Sequence, residues 1–515
     1  MLTFQDVLKL SVHPLFFLPL FTFIFLYLWL TTTTHTNNTN TPPSPPKLPF
    51  LGNLHQFDKL LHRSFHSFSR RYGDIMLVHI GSKPIIIISS AEAAQEIMKT
   101  HDTIFANRPN LRVARKILYD GKDIAFANYG EYWRQMKSIC TLHLFSNTKV
   151  RSFRRVREEE ASLMVEDIRK SIASNEEVIN LSDYFIRITN DVVCKAAFGR
   201  KYTGEKGCPN LKELLNDFSE ALGSFCLQDF IPWLGWIDYI SGVERKADKV
   251  AKALDGFIES IVEEHSGRVE LKGGSDDGQD LVEVLLQIQK ENSSSLPKES
   301  IKAILLDMVA GGTDTTFTLL EWVMTELLMH PHAMKQLQDE VRHATQSKQH
   351  VDEDDLKDMK YLKSVIKETL RLHPPLPLLL PRESSQDTII KGYNIPARTQ
   401  VIINAWAIHR DPANWENPDE FRPERFLNSA LDYKGQDLSY IPFGAGRRGC
   451  PGVLFAIMDA EFAVANLVHE FDWKLPAGEQ TGMSSVAENA GTTVRRRDPL
   501  FAIPTPYRPL YNYIV

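Results

Sequence analysis

The sequence predicts a mainly α-helical protein with small β-sheets, built as one large domain behind an N-terminal transmembrane anchor helix. Three observations carry this. Leu15 to Leu30 is an uncharged apolar run, LFFLPLFTFIFLYLWL. Extended back to Leu10, it reaches the about 20 residues that span a hydrocarbon core. From Leu51 onward no stretch has the composition of an interdomain linker, so one domain fits better than the three that length alone suggests as a soft prior. Over most of that length the apolar residues recur at helical spacing.

Residues 1–30 are read as the anchor. No small-residue cleavage site follows Trp29-Leu30, which argues against a removed signal peptide. Lys9 and Lys47 flank the run and leave its orientation open. Residues 31–50 are a polar tether and proline-rich hinge. Thr31 to Thr41 is too polar to bury a core. Pro42 to Pro49, PPSPPKLP, favours a stiff polyproline segment. Asn37-Asn38-Thr39 matches a glycosylation sequon, read as chance because a sequon matters only on the lumenal side.

Residues 51–515 form the single catalytic-size domain. Ile75 to Ile80 and Ile85 to Ile88 flank Gly81-Ser82-Lys83-Pro84 and predict a hairpin. Helices are expected over Ala91–Thr100, Glu131–Leu144, Lys149–Ser174 and Leu211–Leu222. Ser266 to Asp280, with Gly-Gly and Asp-Asp-Gly, reads as a surface loop. A long apolar helix is expected from about Lys298 to Leu328. Another runs from about Tyr361 to Leu372, ending ahead of Pro374. Short strands follow within Thr388–Ile403, and a last helix after Pro451.

Composition excludes several classes. A formal charge of −6 gives no nucleic-acid footprint. Cys140, Cys194, Cys208, Cys226 and Cys450 form no C-x-x-C pair, which argues against structural zinc and c-type haem attachment. An odd, sparse set of cysteines also argues for a reducing compartment.

Three motifs carry chemistry. Phe443-Gly-Ala-Gly-Arg-Arg-Gly-Cys450-Pro451-Gly452 contains G-x-G-x-x-G at Gly444, Gly446 and Gly449. A dinucleotide fingerprint needs a crossover helix and a second strand. Too little chain remains for that fold. The alternative uses the cysteine: glycines allow close backbone approach to a flat ligand, Pro451 suits a first helical turn, and a helix N-terminus lowers a thiol's pKa. A thiolate on such a loop suits a haem iron; the bland alternative is one more buried small residue. Glu368 and Arg371, three apart on one helix, share a face. Arg425 in Pro423-Glu424-Arg425-Phe426 is a candidate third partner; a solvated helix face is the rival reading. Gly311-Gly312-Thr313-Asp314-Thr315-Thr316 interrupts the long apolar helix, and two mid-helix glycines cost about 1 kcal/mol each. A helix bent against a ligand would accept them. Asp314 and Thr315 could relay protons to bound oxygen, or the threonines could simply bond back to the preceding turn.

These motifs in this order, with the anchor and proline hinge, resemble the cytochrome P-450 superfamily. The cysteine loop fits F-x-x-G-x-R-x-C-x-G through Phe443, Gly446, Arg448, Cys450 and Gly452. The segments FANRP, EYWRQMKSIC, AGGTDTT, KETLRLHPP, INAWAIHRDP and FRPERF look like a plant A-type microsomal member, similar to the group holding psoralen synthase and menthofuran synthase. The resemblance implies the haem-thiolate fold and haem b, with Cys450 as axial ligand to iron. It places Trp133, Arg134, Lys137, Arg382, Phe443, Arg448 and Gly452 around the haem, and Glu368, Arg371 and Arg425 as a structural lock. Lys137 stands where many relatives have arginine, so the planar fork is lost there. Asp314 and Thr315 would serve oxygen activation.

The implied partners are an NADPH-dependent cytochrome P-450 reductase, with cytochrome b5 as a second donor, O2 and a small substrate. Arg447, Arg448 and the run Lys149, Arg151, Arg154, Arg155 and Arg157 are candidates to face an acidic reductase, or an ordinary solvated surface. Phe126, Gly311, Leu378, Leu379 and Thr492 are the candidate pocket residues. The leucines imply a largely apolar substrate held by shape. The expected function is a monooxygenase hydroxylating or oxidatively rearranging a plant specialised metabolite, with terpenoids or coumarins and other phenylpropanoids first. Rivals are an electron-independent isomerase or dehydratase, an oxime-metabolising member of the same fold, and a non-catalytic scaffold. The implied location is the endoplasmic reticulum membrane, single-pass, with the catalytic domain cytosolic.

Overall fold

The structure, a computed structural model, describes residues 19–27, 40–202, 211–271, 279–291, 296–345, 348, 350–477 and 486–507. Most of the expected anchor and tether, the sequon, Cys208 and the middle of the 266–280 segment lie outside the described residues. Residues 19–27 are helical and exposed.

Helices dominate, with three small sheets among the described residues, one of them only the antiparallel pair Thr388–Ile390 and Tyr393–Ile395. Helix α1 (Leu61–Tyr72) precedes strands β1 (Ile75–Ile80) and β2 (Lys83–Ile88). They pair antiparallel with Ile75 opposite Ile88, so the turn is Gly81-Ser82, tighter than the sequence suggests. Pro84 is tolerated because β2 takes its second partner only from Ile85 onward. Helix α2 (Glu131–Ile139) runs into a wider turn over Cys140–Leu144. The helix expected over Lys149–Ser174 divides: Asn147–Ser152 is capped by Ser146, the turn breaks at Phe153, and α3 (Arg154–Ala173) follows. Helix α4 (Leu181–Phe198) ends at Gly199 in the left-handed conformation that suits glycine at a C-terminus.

Helices α5 (Leu211–Leu222) and α6 (Val243–Leu271) lead to the central α7 (Lys298–Met329). Among the described residues α7 alone is long and apolar enough to cross a membrane, yet it is mostly buried as the core helix. Pro331 opens α8 (Pro331–Ala344), where its missing N–H has no helical partner to lose. Helix α9 (Lys360–Leu372) stops before the prolines. Strands β3 (Arg382–Glu383) and β4 (Gln400–Ile403) complete a four-stranded sheet in the order β1-β2-β4-β3, with β2 and β4 parallel. Helix α10 (Val453–Glu470) leads to β5 (Phe471–Lys474), which pairs with β6 (Phe501–Pro506) and, through it, with Ile179–Asn180. One large apolar cluster joins α2 to α10 around α7, and two smaller clusters lie against the first sheet.

Glu368 lies in the wall between α9 and the following loops. It and Arg371 are fully buried. Arg371 donates through Nε and Nη2 to the Glu368 carboxylate at 2.7 and 2.9 Å. Arg425 Nε adds a bond of 2.9 Å and the Arg422 backbone N–H one of 2.8 Å. The remaining Arg371 donors reach the carbonyls of His409, Pro418 and Glu420. One buried ion pair thus ties α9 to two distant loops, and a planar fork with five donors suits that task.

Candidate haem site

Cys450 follows a loop whose shape only glycine permits. Gly446 has φ +68°, and a Cβ there would stand 2.2 Å from the Met98 carbonyl oxygen. The Cys450 N–H donates to Phe443 O at 3.0 Å, closing the loop. Protein encloses Cys450 on all sides, yet its side chain is accessible. A group both enclosed and accessible lies on the wall of an internal chamber. Burial pushes its thiol up, with the Gly452 N–H and Lys137 pulling the other way. The expected lowering by the helix terminus is therefore outweighed by the protein's own surroundings, because desolvation of the thiolate costs more.

Helix α7 supplies another wall. Its partly or fully accessible positions between 300 and 328 are Asp307, Ala310, Gly311, Gly312, Asp314 and Thr315, which is one stripe at helical spacing. The two glycines have different reasons. Gly311 faces open space, whereas a Cβ on Gly312 would meet Val193 of α4 at 3.0 Å. Thr315 Oγ1 donates back to Gly311 O at 2.6 Å, so the helix stays continuous through both. The Asp314 carboxylate accepts from Thr493 Oγ1 and from Ser219 Oγ at 3.4 Å, with Arg495 at 3.7 Å.

The third wall is cationic. Trp133 Nε1 donates to Ile124 O at 3.0 Å, and Arg448 lies over its ring at 4.4 Å. Arg448 also donates to the carbonyls of Ala106, Ile124 and Ala127. Arg382 pairs with Asp102 at 3.1 Å and donates to Ala445 O. Lys137 Nζ reaches Gly449 O at 2.8 Å. Arg108, which sequence reasoning passed over inside FANRP, is buried here and donates to Ala125, Leu380 and Pro381 carbonyls. Burial and the neighbouring Arg448 and Arg382 push its pKa down. Arg108, Arg382, Arg448 and Lys137 thus outnumber Asp102 and Asp123, the two acids set against them. Such a surplus is stable only against an anionic group. The two carboxylates of a haem meet that need, and the accessible thiol and open stripe of α7 suit its iron face. The residues present fit the group.

Not every expected residue reaches the chamber. Arg134 is not in the chamber: it is exposed over the Tyr129 ring at 5.6 Å, which Arg447 shares at 5.7 Å. One residue along a helix is a rotation of about 100°, so Trp133 pointing in turns Arg134 out. Leu378 packs with the Phe65–Ile87 cluster on the first sheet, while Leu379, at φ +51°, lies 3.8 Å from a Cβ built on Gly444. Phe443 packs edge-on to Tyr433, and Gly452 lies against Phe145. Phe126 is half-buried against the main core, and Thr492 stands beside Gly223 after α5. The basic run does not form one open face. Arg157 is buried against Glu353, Arg154 pairs with Glu158 and Asp354, and Lys149 donates to Gln279 O, which leaves Arg151 and Arg155 exposed.

Comparison with known proteins decides the family. Residues 42–498 match the family model described as cytochrome P450. The chain belongs to the cytochrome P450 family. It is 52% identical to cytochrome P450 736A117 of Prunus mume, over 90% of each chain. It is 51% identical to cytochrome P450 71A25 of Arabidopsis thaliana, over 90% of this chain and 94% of that one. It is 46% identical to norfluorocurarine oxidase of a Strychnos species, over 96% and 98%. A solved zebra fish cytochrome P450 with abiraterone superposes with a TM-score of 0.71 at 22% identity, over 87% of this chain and all of that one, which supports the fold. The protein is a plant A-type cytochrome P450, a haem-thiolate monooxygenase whose cofactor is haem with a cysteine thiolate as axial ligand to iron. The relatives do not single out the psoralen and menthofuran synthase group.

Proposed function

We propose that this P450 hydroxylates or oxidatively rearranges a small, largely apolar plant metabolite at the endoplasmic reticulum membrane, taking electrons from an NADPH-dependent reductase. The observation that carries this is the accessible stripe inside the otherwise buried α7, with Asp314 and Thr315 side by side on it, together with the enclosed yet accessible Cys450. When bound, the haem supplies an iron that activates O2 for insertion into substrate. Cys450 would be the thiolate ligand. Arg382, Arg448, Trp133 and Lys137, joined by Arg108, would hold its carboxylates. Thr315 presents a hydroxyl to the chamber while its proton is held by Gly311 O. The Asp314 carboxyl beside it is fixed by Thr493, Ser219 and Arg495. Releasing one of these partners frees the carboxylate to move a proton towards Thr315.

Phe126 and Leu379 are apolar and partly accessible, so substrate walls built from them would select mainly by shape. Terpenoids and coumarins or other phenylpropanoids remain the first substrates to test. One relative's name, norfluorocurarine oxidase, specifies oxidation of a single small molecule.

Residues 1–30 anchor the protein, 31–50 orient it, and 51–515 form the catalytic domain. Support comes from an exposed apolar face. Phe50 contacts Phe25 of the N-terminal helix at 6.4 Å and Trp233 at 5.7 Å. Trp233, Trp236, Tyr239 and Ile240 are each about two-thirds exposed beside it, at 60 to 68%. A contiguous apolar patch of this kind marks a membrane or partner surface.

The test is NADPH-dependent turnover in microsomes carrying this chain and a plant reductase, with terpenes, coumarins and oximes read by mass spectrometry. A product that gains one oxygen or loses two hydrogens supports the proposal and names the substrate class. Product formed without NADPH would favour the isomerase or dehydratase reading.

A further inference from the structure

The backbone of residues 123–127 is gripped from both sides. From the cationic wall, Trp133 and Arg448 donate to Ile124 O, Arg108 to Ala125 O and Arg448 to Ala127 O. From the chamber side, Asp307 Oδ2 accepts the Ile124 N–H at 2.5 Å and also bonds the Ala125 N–H. Asp123 accepts the Phe126 N–H at 2.6 Å. Asp307 lies on the accessible stripe of α7, two turns before Asp314, and is deeply enclosed. Among the described residues it makes no ion pair; the charged neighbour set against it is Asp123.

A buried carboxyl with no cation is costly, and a solvated serine or an apolar residue would avoid that cost. Its retention on the chamber wall therefore calls for a task. The task visible is to fix a loop that has no helix or strand of its own and that carries the partly accessible Phe126.

We propose that Asp307 is a specificity-determining positioning residue: it clamps residues 124–126 onto α7 and so sets the size of substrate that the Phe126 wall admits. This rests on the monooxygenase reading of the chamber. Burial and Asp123 both push the Asp307 carboxyl well up, which favours the neutral acid. Asparagine is nearly isosteric with that form and keeps the accepting oxygen. Alanine removes it and leaves two buried N–H groups unpaired.

The test uses haem-loaded full-length protein and a graded series of alkylbenzenes from slim to bulky. Binding is read as the substrate-induced change in the haem absorption band. Shape selection in an apolar pocket is worth about 10- to 200-fold. The wild type is expected to separate the slimmest and bulkiest binders by at least about tenfold, Asp307→Asn to keep that separation, and Asp307→Ala to collapse it to about two- to threefold. Equal discrimination in wild type and Asp307→Ala would overturn the proposal, as would Asp307→Asn behaving like Asp307→Ala. Amide hydrogen exchange of the wild-type 123–127 segment gives a second readout that needs no variant. Slow exchange is expected, and exchange as fast as an open loop would also overturn it. Loss of the thiolate signature in the reduced carbon monoxide spectrum of the wild type would count against the haem-thiolate reading instead.

Discussion

Replacing Glu368 by glutamine should cost about 3–5 kcal/mol, the range for breaking one side of a buried ion pair. The structure sets that magnitude. The carboxylate is fully buried and accepts four hydrogen bonds, three from guanidinium groups and one from the Arg422 N–H. Arg371 is equally buried, and its other donors are already spent on three carbonyls. The glutamine amide would remove the counter-charge and turn an NH2 group towards one of those guanidinium donors. Against a domain stability of about 5–15 kcal/mol, that loss is about a fifth or more of the total. The assay is urea titration of the haem-loaded protein, followed by loss of the thiolate carbon monoxide spectrum. Asp339→Asn serves as the comparison, since its pair with Lys335 is exposed and is worth about 0.3–0.5 kcal/mol. A Glu368→Gln midpoint indistinguishable from that of Asp339→Asn would refute the reasoning.

Four further outcomes are expected. Gly446→Ala should prevent stable haem incorporation, because its Cβ would meet the Met98 carbonyl at 2.2 Å in a left-handed backbone; normal haem content in purified protein would contradict this. Thr315→Ala should divert electrons to peroxide, raising hydrogen peroxide formed per NADPH consumed while substrate binding holds; unchanged coupling would count against its role. His409 is fully buried, and burial with the nearby Arg371 and Arg410 pushes it down to about 3. The unfolded chain therefore binds the extra proton between about pH 6.5 and 3, so stability is lost as pH is lowered through that window, by about 1.4 kcal/mol per unit. His409→Gln should flatten that part of the wild-type pH–stability curve, measured by denaturant midpoint. Deleting residues 1–39 should move the protein from the membrane pellet towards the soluble fraction, with residual binding removed by adding Trp233→Ser and Trp236→Ser. Full pelleting of the combined variant would contradict the assigned face.

Much of the site is legible in the sequence because its parts are local. The glycine loop before Cys450, the Glu368–Arg371 spacing and the glycine pair in α7 each lie within a turn or two of chain. Their partners come from far away, and that is where sequence reasoning thins. Arg425 could be proposed because P-E-R-F marks it, but Arg108 stands in FANRP with nothing local to show that it converges on Arg448 and Arg382. Thr493 and Arg495 reach Asp314 across 179 and 181 positions, through a loop without periodicity. Asp307 looks in sequence like a polar residue on a wet helix face. Its environment becomes visible only when residues 124–126 fold against it. Arg134 fails for a simpler reason: a motif names a segment, and helix geometry decides which neighbour points inward. The basic run at 149–157 fails because long cationic side chains find acids such as Glu353 and Asp354 that are about 200 residues away.

The most direct measurement is the stoichiometry of turnover in reconstituted microsomes under isotopically labelled dioxygen, with wild type and Cys450→Ala side by side. The wild type is expected to consume NADPH and O2 together, to give a product that carries one labelled oxygen or has lost two hydrogens, and the Cys450→Ala protein to give none. Product formed by the wild type at the same rate without NADPH, or by Cys450→Ala at the wild-type rate, would contradict a thiolate-ligated monooxygenase.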